Sequence, residues 1–287
     1  DEPFADSSGV PTFLVSQFAK EHVKVALTGD GADELFGGYD TYPRLAVASC
    51  LLRVPASVRQ ALGRVLSWGG AGKLKRHAAL LRQDEAWQLY LYLNERTIAK
   101  KTDVEQILPW ADTGSLAASN FALAFKGAMG LGNVQAAMIA DSKTYMVDDN
   151  LAKVDRASMA VSLECRVPFL DHRVAERSMG FTEREKMGLW RMDRKRLLRT
   201  VLARYVPRSY FERPKRGFSI PLAQWFRGDL RCLLDEYLDR DRLHEEGLFD
   251  ADFVQQITRE HADGRRDREA ILWALVFWEM WREKWGV

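Results

Sequence analysis

Three stretches of this 287-residue chain combine residue types that core packing alone does not call for. The first runs Leu27-Thr28-Gly29-Asp30-Gly31-Ala32-Asp33-Glu34-Leu35-Phe36-Gly37-Gly38-Tyr39. Asp30, Asp33 and Glu34 place three carboxylates within five positions, and the flanking glycines let the backbone approach a ligand closely. Carboxylates so near one another repel unless a cation or basic group lies between them, a need that Mg2+ with phosphate oxygens would meet. The same residues also suit a polar turn, with Asp33 and Glu34 favouring a helix N-terminus through its dipole. The second stretch runs from Tyr145 to Asp171. On a helix from about Asn150, Lys153 and Arg156 share a face while Ala152, Ala157 and Met159 pack inward. Glu164 and Arg166 then stand in an apolar run that ends at Pro168, where burial requires pairing. A structural ion pair and a site for a zwitterionic amino acid both satisfy that demand. The third stretch, Glu212-Arg213-Pro214-Lys215-Arg216-Gly217-Phe218-Ser219-Ile220-Pro221, is a basic loop stiffened by prolines and opened by one glycine. It suits a polyphosphate and equally a solvated surface turn.

The elements that must hold these residues are mostly helical in pattern. Residues 11–22 read as a helix capped by Ser7 or Ser8, with Phe13, Leu14, Phe18 and Ala19 as its apolar stripe. Val23-Lys24-Val25-Ala26-Leu27 is a β-branched run that stops at the glycine turn, and it is the one convincing strand in the sequence. A strand needs partners, so an open parallel sheet is expected to end here, with the turn at its carboxyl edge where such sheets bind ligands. Beyond Tyr42, helices are expected over 85–94, 121–129, 134–146, 194–205 and 253–261. The apolar stretch 270–285 is too short to span a bilayer and carries Glu279, Arg282, Glu283 and Lys284. Its Trp273, Phe277 and Trp281 recur at a four-residue step, which marks a core-packing helix.

Composition narrows the class further. With 47% hydrophobic residues the chain can bury a sizeable core. Forty-two basic and forty acidic residues leave a net charge of +2, so no overall field draws it to nucleic acid or an anionic membrane. Cys50, Cys165 and Cys232 are widely separated, without a Cys-x-x-Cys pair, and fit a reducing, cytoplasmic setting. The chain starts at Asp1 rather than Met and shows no signal-peptide pattern, as expected of a fragment.

Taken in order, the three stretches resemble the synthetase domain of glutamine-dependent asparagine synthetases, the bacterial form especially. The resemblance runs from Asp1-Glu2-Pro3-Phe4-Ala5-Asp6-Ser7-Ser8 to the Trp-rich end. Lys153 to Met159 followed by Arg166-Val167-Pro168-Phe169-Leu170-Asp171 makes it more discriminating than a lone glycine motif. It implies a truncated adenine nucleotide α-hydrolase-like (ATP pyrophosphatase) domain, mostly α with a remnant of an open parallel α/β sheet. Residues 1–40 would end the nucleotide-binding sheet and 41–287 would be mainly helical. It implies ATP and Mg2+ as cofactors, and aspartate as substrate. The aspartate side-chain carboxylate attacks the α-phosphorus to give β-aspartyl-AMP and pyrophosphate, and ammonia from an N-terminal glutaminase domain then displaces AMP. By match to the family motifs, Thr28 and Gly29 resemble ATP contacts and Asp33 the magnesium-binding carboxylate. Asp30 resembles the acid of the adenylate step, which is Glu in many relatives. Arg156 and Glu164 match positions around aspartate and its adenylate, and Lys215 the lysine on the departing pyrophosphate.

Two family parts are absent from the sequence: the Ser-Gly-Gly-x-Asp-Ser phosphate loop and the glutaminase domain with its N-terminal cysteine. The chain alone is therefore expected to be inactive. Val147 and Asn150 stand where relatives often have Pro and Leu. A relative acting on another carboxylate, such as a β-lactam-forming synthetase, would carry tyrosine at the position of Asp30. A noncatalytic scaffold that lost its nucleotide loop is the alternative from a different class. An oligomer is compatible with the sequence.

Overall fold

Strand β1, Val25–Leu27, lies between helix α1, Gly9–Lys20, and helix α2, Ala32–Phe36. The computed structural model describes residues 2–68, 73–94, 101–111, 116–188, 193–212, 218 and 220–286. β1 has a partner that the sequence reading missed. Strand β2, Glu164–Arg166, runs parallel to it, with Val25 opposite Glu164, Ala26 opposite Cys165 and Leu27 opposite Arg166. Glu-Cys-Arg gives β2 no apolar alternation, so its strand character comes from the ladder and not from local propensity. The parallel pairing of strands so far apart in sequence is the α/β signature expected of this region.

Between the strands lie α3 (Thr41–Ala48), α4 (Ala56–Trp68), α5 (Lys73–Leu81), α6 (Ala86–Asn94), α7 (Lys101–Ile107), α8 (Leu116–Lys126) and α9 (Asn133–Lys143). A π turn, Met146–Leu151, then leads directly into α10, Ala152–Met159. The helix expected from Asn150 therefore starts on a widened turn, which resets the direction of the side chains around it. After β2 come α11 (His172–Met179), α12 (Glu183–Lys186), α13 (Arg196–Leu202), α14 (Leu222–Arg227), α15 (Arg231–Tyr237), α16 (Arg240–Glu246), α17 (Ala251–Ala262) and α18 (Glu269–Trp285).

The apolar residues gather in two cores. The first joins α3, α6, α8 and α9 through Tyr42, Leu45, Leu89, Tyr90, Phe125 and Met138, with the Tyr42 and Tyr90 rings stacked at 5.9 Å. The second joins α14 to α18 through Leu222, Phe226, Leu238, Val254, Leu272 and Val276, and takes in Ile107 of α7. Each such side chain contributes roughly 1.5–3 kcal/mol on burial. Trp273 and Phe277 of α18 pack at 5.7 Å, as the four-residue step predicts.

The apolar stripe of α1 is exposed, and on α10 Ala157 is buried as expected while Met159 is not. On α1, Leu14 is 56% and Phe18 63% exposed, and Met159 on α10 is 56% exposed. α1 packs on α10 instead through the side that buries Ser16. Among the described residues β1 pairs with β2 alone, so nothing covers the outer apolar face of α1. Ser8 sits at the α1 N-cap without a side-chain cap; the local acceptor is Asp6, which takes hydrogen bonds from the Ser8 N–H at 2.9 Å and Oγ at 2.7 Å. Among the described residues no single helix is long and apolar enough to cross a membrane.

Candidate functional site

The two strands end side by side, and the first two sequence stretches meet there. The Thr28 N–H donates to the Arg166 carbonyl at 2.8 Å, fixing the glycine turn beside the chain that follows β2. Gly31 adopts φ 78° at the start of α2, and a Cβ there would lie 2.3 Å from Leu170 Cδ2. Only glycine combines that left-handed turn with so close an approach, so Gly31 seats the Pro168–Leu170 turn against α2. The Thr28 hydroxyl oxygen is buried with no hydrogen-bond partner among the described residues, and Asp30 is half-buried in the turn. A buried orphan hydroxyl at a strand's carboxyl end is a polar group with an unmet need.

The adjacent carboxylates of α2 face different surroundings. Asp33 meets the Lys195 ammonium at 3.0 Å, at the head of α13. Both border an open cleft of about 650 Å3, whose walls include Phe169, Leu198, Leu202 and Phe211. Gly38 makes this possible, since a Cβ there would lie 1.8 Å from Asp33 Oδ1 and 2.3 Å from Lys195 Cε. Glu34 points the other way and is 1% exposed. It accepts from the Tyr39 hydroxyl at 2.6 Å and from Asn150 Nδ2 at 3.3 Å. Burial raises the Glu34 carboxyl above the usual carboxylate range, and those hydrogen bonds only partly offset it.

α10 turns its basic residues toward the N-terminal segment. Lys153 donates to Asp6 at 2.6 Å and Arg156 to Glu2 at 2.5 Å, so the two share a face as the spacing predicts. Burial pushes the Asp6 carboxyl up, but bonds from Lys153 and Ser8 outweigh it and leave its pKa lowered. Glu164 and Arg166 pair with each other at 2.8 Å while remaining 55% and 64% exposed. The expectation that burial forces their pairing is therefore corrected: on this short strand both side chains reach water. Lys215 lies outside the described residues.

Thr28, Gly29 and Asp30 thus share one turn at the strand ends, with Arg166 beside it and Asp33 on the helix that follows. Arg156 and Glu164 are engaged separately, on α10 and β2. The sequence reading missed Lys195. Its signal was indirect: a carboxylate cluster demands a cation, but nothing around Lys195 marks it as the supplier. As a resident metal site the donor set does not fit. Among the described residues no three acidic, histidine or cysteine groups converge, and Asp33 is already held by an ammonium.

The family profile for asparagine synthase matches residues 1–283. A protein of Mycobacterium tuberculosis named putative asparagine synthetase [glutamine-hydrolyzing] is 33% identical over 290 residues, covering 98% of this chain and 42% of the relative. Asparagine synthetase [glutamine-hydrolyzing] 1 of Bacillus subtilis is 28% identical, covering 98% of this chain and 44% of the relative. The chain thus spans less than half the length of these curated relatives. No solved structure gives a significant match. With the profile matched over residues 1–283, the strand-end turn included, the chain belongs to the asparagine synthase family.

Proposed function

We propose that the protein containing this chain converts aspartate to asparagine at the expense of ATP, through β-aspartyl-AMP. The observation that carries the reading is the placement of Thr28, Gly29 and Asp30 at the carboxyl end of a parallel strand pair, next to Asp33, which borders a cleft together with the Lys195 ammonium. That is where open α/β sheets receive nucleotides. A carboxylate oxygen of aspartate forms a bond to the α-phosphorus as the bond to the pyrophosphate oxygen breaks. Ammonia then adds to the acyl carbon, AMP leaves with the C–O bonding pair, and a base takes the surplus proton. Asp30 is assigned to this proton and to alignment of the adenylate, Arg156 and Glu164 to the charged ends of aspartate, and Lys215 to pyrophosphate. Thr28 and Gly29 are assigned to ATP. Magnesium belongs to this reading as the counter-ion that ATP would bring with it, and Asp33, at the border of the cleft, is the carboxylate that would neighbour it there. The ammonia source is a glutaminase domain in the same protein, and the setting is cytoplasmic.

Aspartate labelled with 18O in its side-chain carboxylate tests the reading in the full-length protein. One label should pass into AMP, with pyrophosphate as the other product. Unlabelled AMP, or ADP with phosphate, would refute an acyl-adenylate. Asp30→Asn should lower asparagine formation by roughly a hundredfold or more while Asp30→Glu keeps much of it. Residues 1–287 alone, lacking the Ser-Gly-Gly-x-Asp-Ser run, should release no pyrophosphate above background.

A further inference from the structure

The π turn places one side chain between the two halves of the site. Asn150 Nδ2 donates to Glu34 Oε1 at 3.3 Å and to the Tyr39 hydroxyl at 3.2 Å. Its Oδ1 accepts from Lys153 Nζ at 3.4 Å, and Lys153 donates onward to Asp6. A continuous run of hydrogen bonds therefore links α2, the π turn, α10 and the N-terminal segment. We propose that Asn150 is a positioning residue of the asparagine-forming site, its amide bridging the Glu34 carboxylate and the Lys153 ammonium so that α2 is held against α10.

The chemistry favours an amide at this point. A carboxylate only accepts and an ammonium only donates, whereas the amide offers a donor to the first and an acceptor to the second. α2 has five residues, too few to hold a direction through its own backbone, so tertiary contacts must aim it. Asp33, next to Glu34 on α2, keeps its place at the cleft only while α2 keeps its angle. Arg156, three residues beyond Lys153 on the same helix, makes its own pair with Glu2 of the N-terminal segment, so α10 is tied there at two points. Leucine at this position supplies neither half of the bridge. Aspartate, of nearly the same shape, replaces the donor with a second carboxylate against Glu34.

The catalytic consequence rests on the proposed function, while the mechanical one does not. Hydrogen exchange in the full-length protein reads the mechanical part directly. In Asn150→Asp and Asn150→Leu the backbone amides of 32–36 should exchange about tenfold faster or more, while those of 251–262 stay unchanged. Unaltered exchange over 32–36 in the shape-conserving Asn150→Asp variant would overturn the proposal even if Asn150→Leu does not fold. Pyrophosphate release should show kcat lowered about tenfold in both variants, with KM for ATP within about twofold of wild type. Near-normal kcat in a variant with faster exchange would overturn the catalytic half. A wild-type protein with no aspartate-dependent pyrophosphate release would remove the functional reading and that catalytic half, leaving the exchange result to decide the mechanical one.

Discussion

Lys215 and Arg216 differ in what the proposed reaction asks of them, although each carries one positive charge. Negative charge builds on the phosphoryl oxygens as pyrophosphate departs, and a fixed ammonium stabilises it without reorganisation. Lys215→Met should therefore lower pyrophosphate release by about a hundredfold with the melting temperature kept. Arg216→Met should cost less than about threefold, because the proposed reaction assigns the pyrophosphate to Lys215 and not to its neighbour. Equal loss in both variants, accompanied by a lower melting temperature, would make the loop structural. At this scale the sequence disclosed the acids but not their company. Asp30, Asp33 and Glu34 are conspicuous together, yet Asp33 meets Lys195 at the cleft while Glu34 is buried against Tyr39 and Asn150. Asn150 reads as a minor departure from the family pattern because a single amide carries no local sign of what it bridges.

The glycine turn is the element on which the site depends, and its glycines are not equivalent. Gly31 needs a left-handed backbone and contact with Leu170, whereas an added Cβ at Gly29 meets nothing within 4 Å. Gly31→Ala should lower unfolding stability by about 1–3 kcal/mol in urea titrations, and Gly29→Ala by less than about 1 kcal/mol. Similar losses in the two would mean that the turn does not seat the Pro168–Leu170 segment. β1 was legible because a β-branched run stops at a glycine turn. β2 was not, since Glu164, Cys165 and Arg166 become a strand only by pairing across the fold. The stripe on α1 was visible as a stripe but not as an exposed one. Periodicity reports that a face exists, and only packing tells which neighbour covers it.

Across the whole molecule, buried acids tilt stability with pH. Asp141 accepts from the hydroxyls of Tyr42, at 2.7 Å, and Tyr90 inside the first core. Burial raises its pKa from 3.8 to about 7, with the tyrosine hydrogen bonds opposing the rise. Between those values the folded protein retains a proton that the unfolded chain has released, so stability falls as pH rises across the window and levels off above it. Glu279, raised by burial to about 7, adds to the same slope. Urea midpoints at pH 5.5 and 8 should show wild type weaker at pH 8, with the difference reduced but not abolished in Asp141→Asn. Identical pH dependence in the two would exclude Asp141 as a source. The second core has a different consequence, rooted in the order of synthesis. Ile107 packs among residues of α14 to α18, the Asp250 N–H donates to the Ile107 carbonyl at 3.0 Å, and Arg268 clasps Asp103 at 2.8 Å. During translation α7 leaves the ribosome long before those partners exist. Its apolar side must wait, exposed or chaperoned, until α18 emerges, and closing so long a loop puts folding of this core among the late and slow events.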